Sequence, residues 1–312
     1  MKRAVSISIG SSRRNKAIET KIFDQPVLLE RIGTDGDLEK AARLYQELDG
    51  KVDAFGVGGA VQGLMVKERW YVMHSVQKMI RFVKKTPIVD GTGLKMTLES
   101  KVAETIEKEL GGYIQNNHPA SLPKRSFVAM ALDRWGTAQS FLNANYECIF
   151  GDLMFGLGIG LPVKSENQLI LLAKILLPVV SRLPFRWVYP IGKAQEMNTP
   201  KWEKYFQWAS VIAGDCHYLT RYMPNRLSGK VIVTNTTTAE DRSIFQRANV
   251  KYLITTTPIL DGRSFGTNMM EAGILAAIGR KEAVDYAKPG NYFQEMQTYI
   301  DRLGFTPQVQ EL

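Results

Sequence analysis

Cysteine and histidine are scarce, at two and three in 312 residues. Cys148 and Cys216 have no CxxC or other metal-ligand spacing, so neither a disulfide scaffold nor a metal site is expected. Uninterrupted apolar runs are also missing. The richest stretch, residues 169–192, is broken by Lys174, Pro178, Arg182, Pro184 and Arg186, whereas a membrane span needs roughly 18 or more apolar residues. It reads as a buried helix followed by a strand; an acyl-chain groove or an apolar interface in a homo-oligomer is its other use. No block of like charge occurs. The net charge of +9 is spread over short groups such as "SSRRNK", "RFVKK" and "LPKRS", a distribution that suits small acidic ligands or phosphates and argues against nucleic-acid binding. The opening "MKRAVSISIG" has no apolar core or small-residue cleavage site, so a cytoplasmic setting is expected.

With 45% hydrophobic and 23% charged residues, the chain has the composition of a folded globular protein. Three β-like runs open it: "AVSISIG", "AIETKIF" and "PVLLERIG". Thr34 or Asp37 then caps a helix "LEKAARLYQEL" with Leu38, Ala41, Ala42, Leu44 and Leu48 on one face. "VDAFGVGG" reads as a buried strand, residues 66–85 as a long helix, "TPIVDGTG" as a second apolar strand with a glycine turn, and "TLESKVAETIEKEL" as a helix. After a stretch with two prolines and no periodicity, strands and helices alternate again to the last helix, "NMMEAGILAAIG". The fold class is therefore α/β, with largely parallel, doubly wound sheets in two parts and a short antiparallel N-terminal piece. The boundaries follow: an N-terminal α/β domain over 1–115, a linker over 116–126, and a Rossmann-like α/β domain over 127–312.

Chemistry concentrates where strands end. In "GVGGA", Gly56, Gly58 and Gly59 supply the tight turn and close backbone approach that a dinucleotide pyrophosphate needs. The first acid that ends a following strand, Asp90, lies farther on than the roughly 20 positions usual for a ribose-binding carboxylate. Asp90 and Lys95 flank the glycines of "VDGTGLK", either as base and anion anchor or equally as a surface pair on a connection. In the second half Asp152 ends a strand at about the ribose-acid distance from Gly136. "VTNTTT" and "LITTTP" place Asn235, Thr236, Thr256 and Thr257 directly after apolar strands, where open α/β sheets bind ligands. Arg263 would join Gly266, Thr267 and Asn268 at a helix N-terminus as a phosphate or carboxylate seat, with helix capping the plainer reading. Asp215 and His217 could form an acid and base pair.

The stretch "TDG", a helix and then "LDGKVDAFGVGGA" resembles the segment of shikimate and quinate dehydrogenases that joins their "NTDG" motif to their "GAGGA" cofactor turn. That resemblance implies Asp35 as a substrate-contacting residue and Gly56, Gly58, Gly59 and Ala60 as the NAD or NADP turn. Nearly the whole chain is also similar to a little-characterised bacterial family labelled quinate 5-dehydrogenase, through "RIGTDGD", "VDGTGLK", "FGDLMF" and "GRSFGTN". The resemblance implies an NAD(P)-dependent oxidoreductase acting on a small hydroxylated acid. The combined "SxS" plus "NxTxPxK" pattern of those dehydrogenases, with its catalytic lysine, is absent, which favours the alternative, a non-redox protein binding an anionic ligand or nucleotide. A third reading, an acyl-thioester reductase, requires a nucleophilic cysteine.

Overall fold

The computed structural model describes residues 1–115, 121–188, 198–257, 259–260 and 263–312, without the side chains of 259, 260, 263 and 264. The chain begins with β1 (Lys2–Ser8), β2 (Lys16–Ile22), β3 (Gln25–Gly33), α1 (Leu38–Leu48), β4 (Ala54–Gly58), β5 (Gly63–Val66), β6 (Arg69–Val72), α2 (His74–Ile80), β7 (Ile88–Val89) and α3 (Thr92–Met96). It continues with α4 (Val102–Leu110), β8 (Arg125–Val128), α5 (Trp135–Asn143), β9 (Glu147–Phe150), α6 (Asp152–Leu157), α7 (Glu166–Val180), α8 (Phe185–Val188) and α9 (Glu203–Trp208). Then come β10 (Val211–Ala213), α10 (Cys216–Tyr222), β11 (Val231–Thr234), α11 (Ala239–Arg247), β12 (Tyr252–Thr255), β13 (Ile259–Leu260), β14 (Arg263–Ser264), α12 (Thr267–Ile278), α13 (Tyr292–Arg302) and β15 (Gln308–Glu311).

Two compact units result. The first comprises Met1–Leu94, Lys174–Ile191 and Ile259–Gly304; the second comprises Lys95–Ala173, Gly192–Pro258 and Phe305–Leu312. The composition places a linker at 116–126 and one domain over 127–312, but the chain divides at Leu94 and later returns to the first unit. Helix α12 shows why: ten of its residues, Thr267, Met269 to Ala277, are buried, so it is covered nearly all round, and it lies against β1, β3 and β4.

The first unit has a five-stranded sheet of order β2-β3-β1-β4-β7, parallel except for β2, which pairs antiparallel with β3 at the edge. This edge hairpin is the antiparallel N-terminal piece expected from the sequence. All five residues of β4 are buried, as in a central parallel strand covered on both faces. Val5, Ile7, Tyr45, Phe55 and Val57 form the middle of its core, each worth about 1.5 to 3 kcal/mol of apolar burial. Asp37 is the residue that caps α1, accepting the Lys40 N–H at 2.8 Å.

The second unit has a six-stranded sheet of order β15-β12-β11-β10-β8-β9, parallel except for β15. Phe127, Phe206, Ile212, Ile232, Phe245 and Leu253 centre its core. Both units are α/β with mostly parallel sheets.

Two local expectations change. Residues 66–85 do not form one helix. The hairpin β5–β6 pairs Leu64 with Tyr71 and Met65 with Trp70, Lys67 turns it at a φ of 56°, and helix begins only at His74. Aromatic and aliphatic cross-strand pairs outweigh the helical spacing there. The 169–192 stretch forms α7 and α8, and α7 keeps an apolar face in solvent instead of being buried all round. Residues 189–197 lie outside the described residues. No helix among the described residues is long and apolar enough to cross a membrane.

Candidate functional site

In the first unit the chain leaves β1 towards β3 and leaves β4 towards β7. The two connections diverge beyond the carboxyl ends of β1 and β4, the position at which open α/β sheets form a ligand crevice. Ser8 ends β1, and the loop 9–15, Thr34 to Gly36, Gly59 to Gln62 and Asp90 to Gly91 follow the carboxyl ends of β1, β3, β4 and β7 in turn. The first turn of α12 is fastened to the same region, where the Asn268 amide donates to the Ser6 hydroxyl at 2.7 Å.

The three glycines of the turn serve different ends. At Gly56 a Cβ would lie 2.9 Å from the Asn268 carbonyl oxygen, and at Gly58 it would lie 2.7 Å from Ser8 Cβ. Both are glycine because helix α12 and strand β1 approach so closely. Gly59 is exposed at a φ of 73°, a conformation that disfavours side chains, and is the point at which the turn's backbone opens to solvent. Beyond it the chain enters the hairpin β5–β6, so the helix terminus nearest in chain order does not follow the turn as it does in a dinucleotide fold. A positive helix end is supplied from far along the sequence instead, by α12.

That end is unusual. Gly266 caps it without a side-chain acceptor, and no acid stands in its first turn, so the helix dipole is not neutralised. Thr267 is 8% exposed, and its side chain fills the space left by the missing Cβ of Gly91. Thr267 is therefore the first helical residue, and not the cap that the sequence suggested.

Asp35 stands at a φ of 53°, exposed, and accepts the Ser12 N–H at 2.7 Å, a bond that holds its carboxyl below the ordinary range. Backbone bonds Thr34 N to Ser8 O, Asp35 N to Gly10 O and Gly36 N to Ile9 O tie this corner to the loop after β1. Arg31, not picked out from sequence, is held beneath that loop: its Nη2 donates to Ser8 Oγ at 2.9 Å and its Nη1 to the Ser11 carbonyl at 3.0 Å. Burial lowers its pKa, and nearby Arg14 adds to the effect, so positive charge is crowded here. The only local signal for Arg31 was a cation inside the apolar alternation of "PVLLERIG".

Asp90 is buried and occupied. Its carboxylate accepts the Gln62 N–H at 2.6 Å and the Thr92 N–H at 3.0 Å, locking the loop after β4 to the start of α3. Glu271 carries no local signal in the apolar run "NMMEAGILAAIG" beyond its charge. It is 0% exposed on α12 and accepts from Gly93 N–H at 3.1 Å, Tyr286 OH at 2.9 Å and Tyr292 OH at 2.5 Å. Burial, reinforced by Asp90, pushes its carboxyl up to about 7.

In the second unit, the corresponding divergence lies between β8 and β10. Lys95 pairs with Asp133 at 2.7 Å, and the buried Arg134 bonds Glu99 at 2.5 Å and Asp215 at 3.4 Å. Lys95, followed by Arg134, holds the Asp133 carboxyl below its ordinary range against burial. The threonine-rich strand ends are engaged by protein: Asn235 donates to Asp215 at 2.9 Å, Thr256 to Glu99 at 3.4 Å and Thr257 to the Asn235 carbonyl at 2.7 Å. Thr236 is half-buried, and the Arg263 side chain lies outside the described residues. Arg134, Thr137, Gly214, Val233, Thr234 and Thr256 line a recess with no room for a water molecule. Asp152 accepts N–H groups of Ala131 and Leu132, and Asp215 caps α10 through the His217 backbone N–H, not its ring. Burial pushes both thiols up, Cys148 to about 11, so neither is poised as a nucleophile. No group of three or more His, Cys, Asp or Glu among the described residues could hold a metal ion.

Among curated proteins, none matches the chain. Residues 3–90 match the family model described as Domain of unknown function (DUF8753). Residues 93–312, more than half of the chain, match the model described as Domain of unknown function (DUF8754), and the chain belongs to that family.

Proposed function

We propose that the protein binds a small anionic ligand, through a carboxylate or phosphate, at the carboxyl ends of β1 and β4 in the first unit. The carrying observation is the start of α12: a helix N-terminus with no side-chain cap and no acid in its first turn, joined to these strand ends by Asn268. Arg31 adds a cation already oriented by Ser8 and Ser11, and Gly59 leaves the backbone open to close approach. A small hydroxylated acid of the quinate or shikimate kind has this chemistry, as does the phosphate of a nucleotide. NAD(P)-dependent oxidoreduction is a narrower form of the proposal and rests on the resemblance of the "TDG" to "GVGGA" segment alone.

The test is a thermal-shift screen of the full chain against inorganic phosphate, quinate, shikimate, NAD and NADP, followed by calorimetry on any anion that raises Tm. Arg31→Gln should weaken binding by about 1.5 to 3 kcal/mol, the worth of a hydrogen bond to a charged group, and Thr267→Val by about 1 kcal/mol. A screen in which no anion shifts Tm, or an Arg31→Gln protein that binds as tightly as the wild type, would refute the proposal.

A further inference from the structure

Met1 apart, every large apolar side chain left exposed among the described residues falls in residues 157–187: Leu157, Ile159, Leu161, Leu171, Ile175, Val179 and Trp187. Leu171, Ile175 and Val179 recur every fourth residue on α7, so they form one stripe along a single helix face. They are 58%, 61% and 61% exposed, while Leu169, Ala173 and Leu177 on the opposite face are buried. Trp187, 76% exposed, follows in α8. The same segment carries exposed Lys164, Lys174, Arg182 and Arg186 against one carboxylate, Glu166.

We propose that this segment docks the protein on the surface of anionic lipid membranes, with the α7 stripe lying flat in the headgroup boundary. The charge pattern selects this occupant. In an antiparallel two-fold pairing of stripe on stripe, the axis would pass near Ile175 and bring the Lys174 residues of two copies together with no acid to receive them. A bilayer surface supplies a phosphate to each cation at once. The long Lys and Arg stems allow their charges to stay at the headgroups while Leu171, Ile175 and Val179 enter the acyl boundary. An exposed tryptophan is the residue type enriched at that depth. The stripe is about 12 Å long at 1.5 Å per residue, far short of a span, so binding is reversible and on the surface.

Vesicle flotation of the full chain tests this. The protein should float with vesicles of phosphatidylcholine mixed with phosphatidylglycerol, remain behind with phosphatidylcholine alone, and be released by raised salt. A Lys174→Gln, Arg182→Gln, Arg186→Gln protein should lose about a hundredfold in partitioning, at about fivefold per basic residue. A Leu171→Ser, Ile175→Ser, Val179→Ser protein should lose binding while keeping its circular dichroism and Tm, because these side chains are already in water. Failure of the wild type to float with the anionic vesicles overturns the proposal, as do variants that float equally well. A dimer that Ile175→Glu dissociates, without vesicle binding, would assign the stripe to a second copy and also overturn it.

Discussion

Replacing Glu271 with Gln should remove a pH dependence from the stability of the first unit. Glu271 is completely buried on α12, and its carboxyl is raised from 4.5 to about 7, by burial first and by Asp90 second. Each pKa unit corresponds to about 1.4 kcal/mol, so the proton on Glu271 is worth about 3 kcal/mol to the folded state. The unfolded chain releases that proton near 4.5 and the folded one near 7. Between these values the folded state binds more protons, so the contribution is complete below 4.5 and is lost as pH rises through about 7. In the Gln variant an oxygen still accepts from Tyr286 and Tyr292, but the amide N–H faces the Gly93 N–H. The variant should therefore be less stable by about 1 to 3 kcal/mol near pH 5, the cost of an unsatisfied buried group, and flatter from about pH 5 to pH 8. Equilibrium urea unfolding across that range measures both effects. Parallel pH profiles for the two proteins would refute the reasoning, since they would mean that the three donors keep Glu271 ionised throughout.

Asp152 in the second unit has a carboxyl raised by burial to about 7, and Asp152→Asn should flatten its share of the same pH dependence, read by the same unfolding series. Arg134→Ala leaves the 0% exposed Glu99 without its cation and should cost about 3 to 5 kcal/mol in urea unfolding. Much of that loss should return in an Arg134→Ala, Glu99→Gln double variant. Gly56→Ala drives a Cβ against the Asn268 carbonyl and should cost about 1 to 3 kcal/mol. Gly59→Ala should cost about 1 to 2 kcal/mol through its left-handed backbone, with Ile9 giving way to a Cβ 3.1 Å from its Cγ2, and an Asn268-coupled loss for Gly59 but not Gly56 in calorimetric melts would reverse these assignments.

Much of the fold was legible because strand and cap signals are local. The apolar runs "AVSISI", "VDAFGVG" and "KVIVT" became β1, β4 and β11, and Thr238 caps α11 in a full capping box with Asp241. The helix expected over 66–85 failed where cross-strand partners, which periodicity does not report, decided the outcome. The threonine-rich strand ends looked like ligand contacts because their residue types were right. Asp215, Glu99 and the Asn235 carbonyl, remote in sequence, already accept their hydrogen bonds.

By itself the sequence determined an α/β chain with mostly parallel strands, glycine at Gly59 where φ is positive, and polar residues gathered at strand ends. Only the tertiary structure decided which segments meet there. Asn268 bonds Ser6 across 262 positions, and Glu271 bonds Gly93 across 178. Local composition shows α12 as an apolar helix that must be buried, but the strand it covers depends on shape and packing over the whole unit. Gly56 and Gly58 therefore read as a phosphate turn in one dimension, and in three they are the narrow places where a helix and a neighbouring strand press against β4.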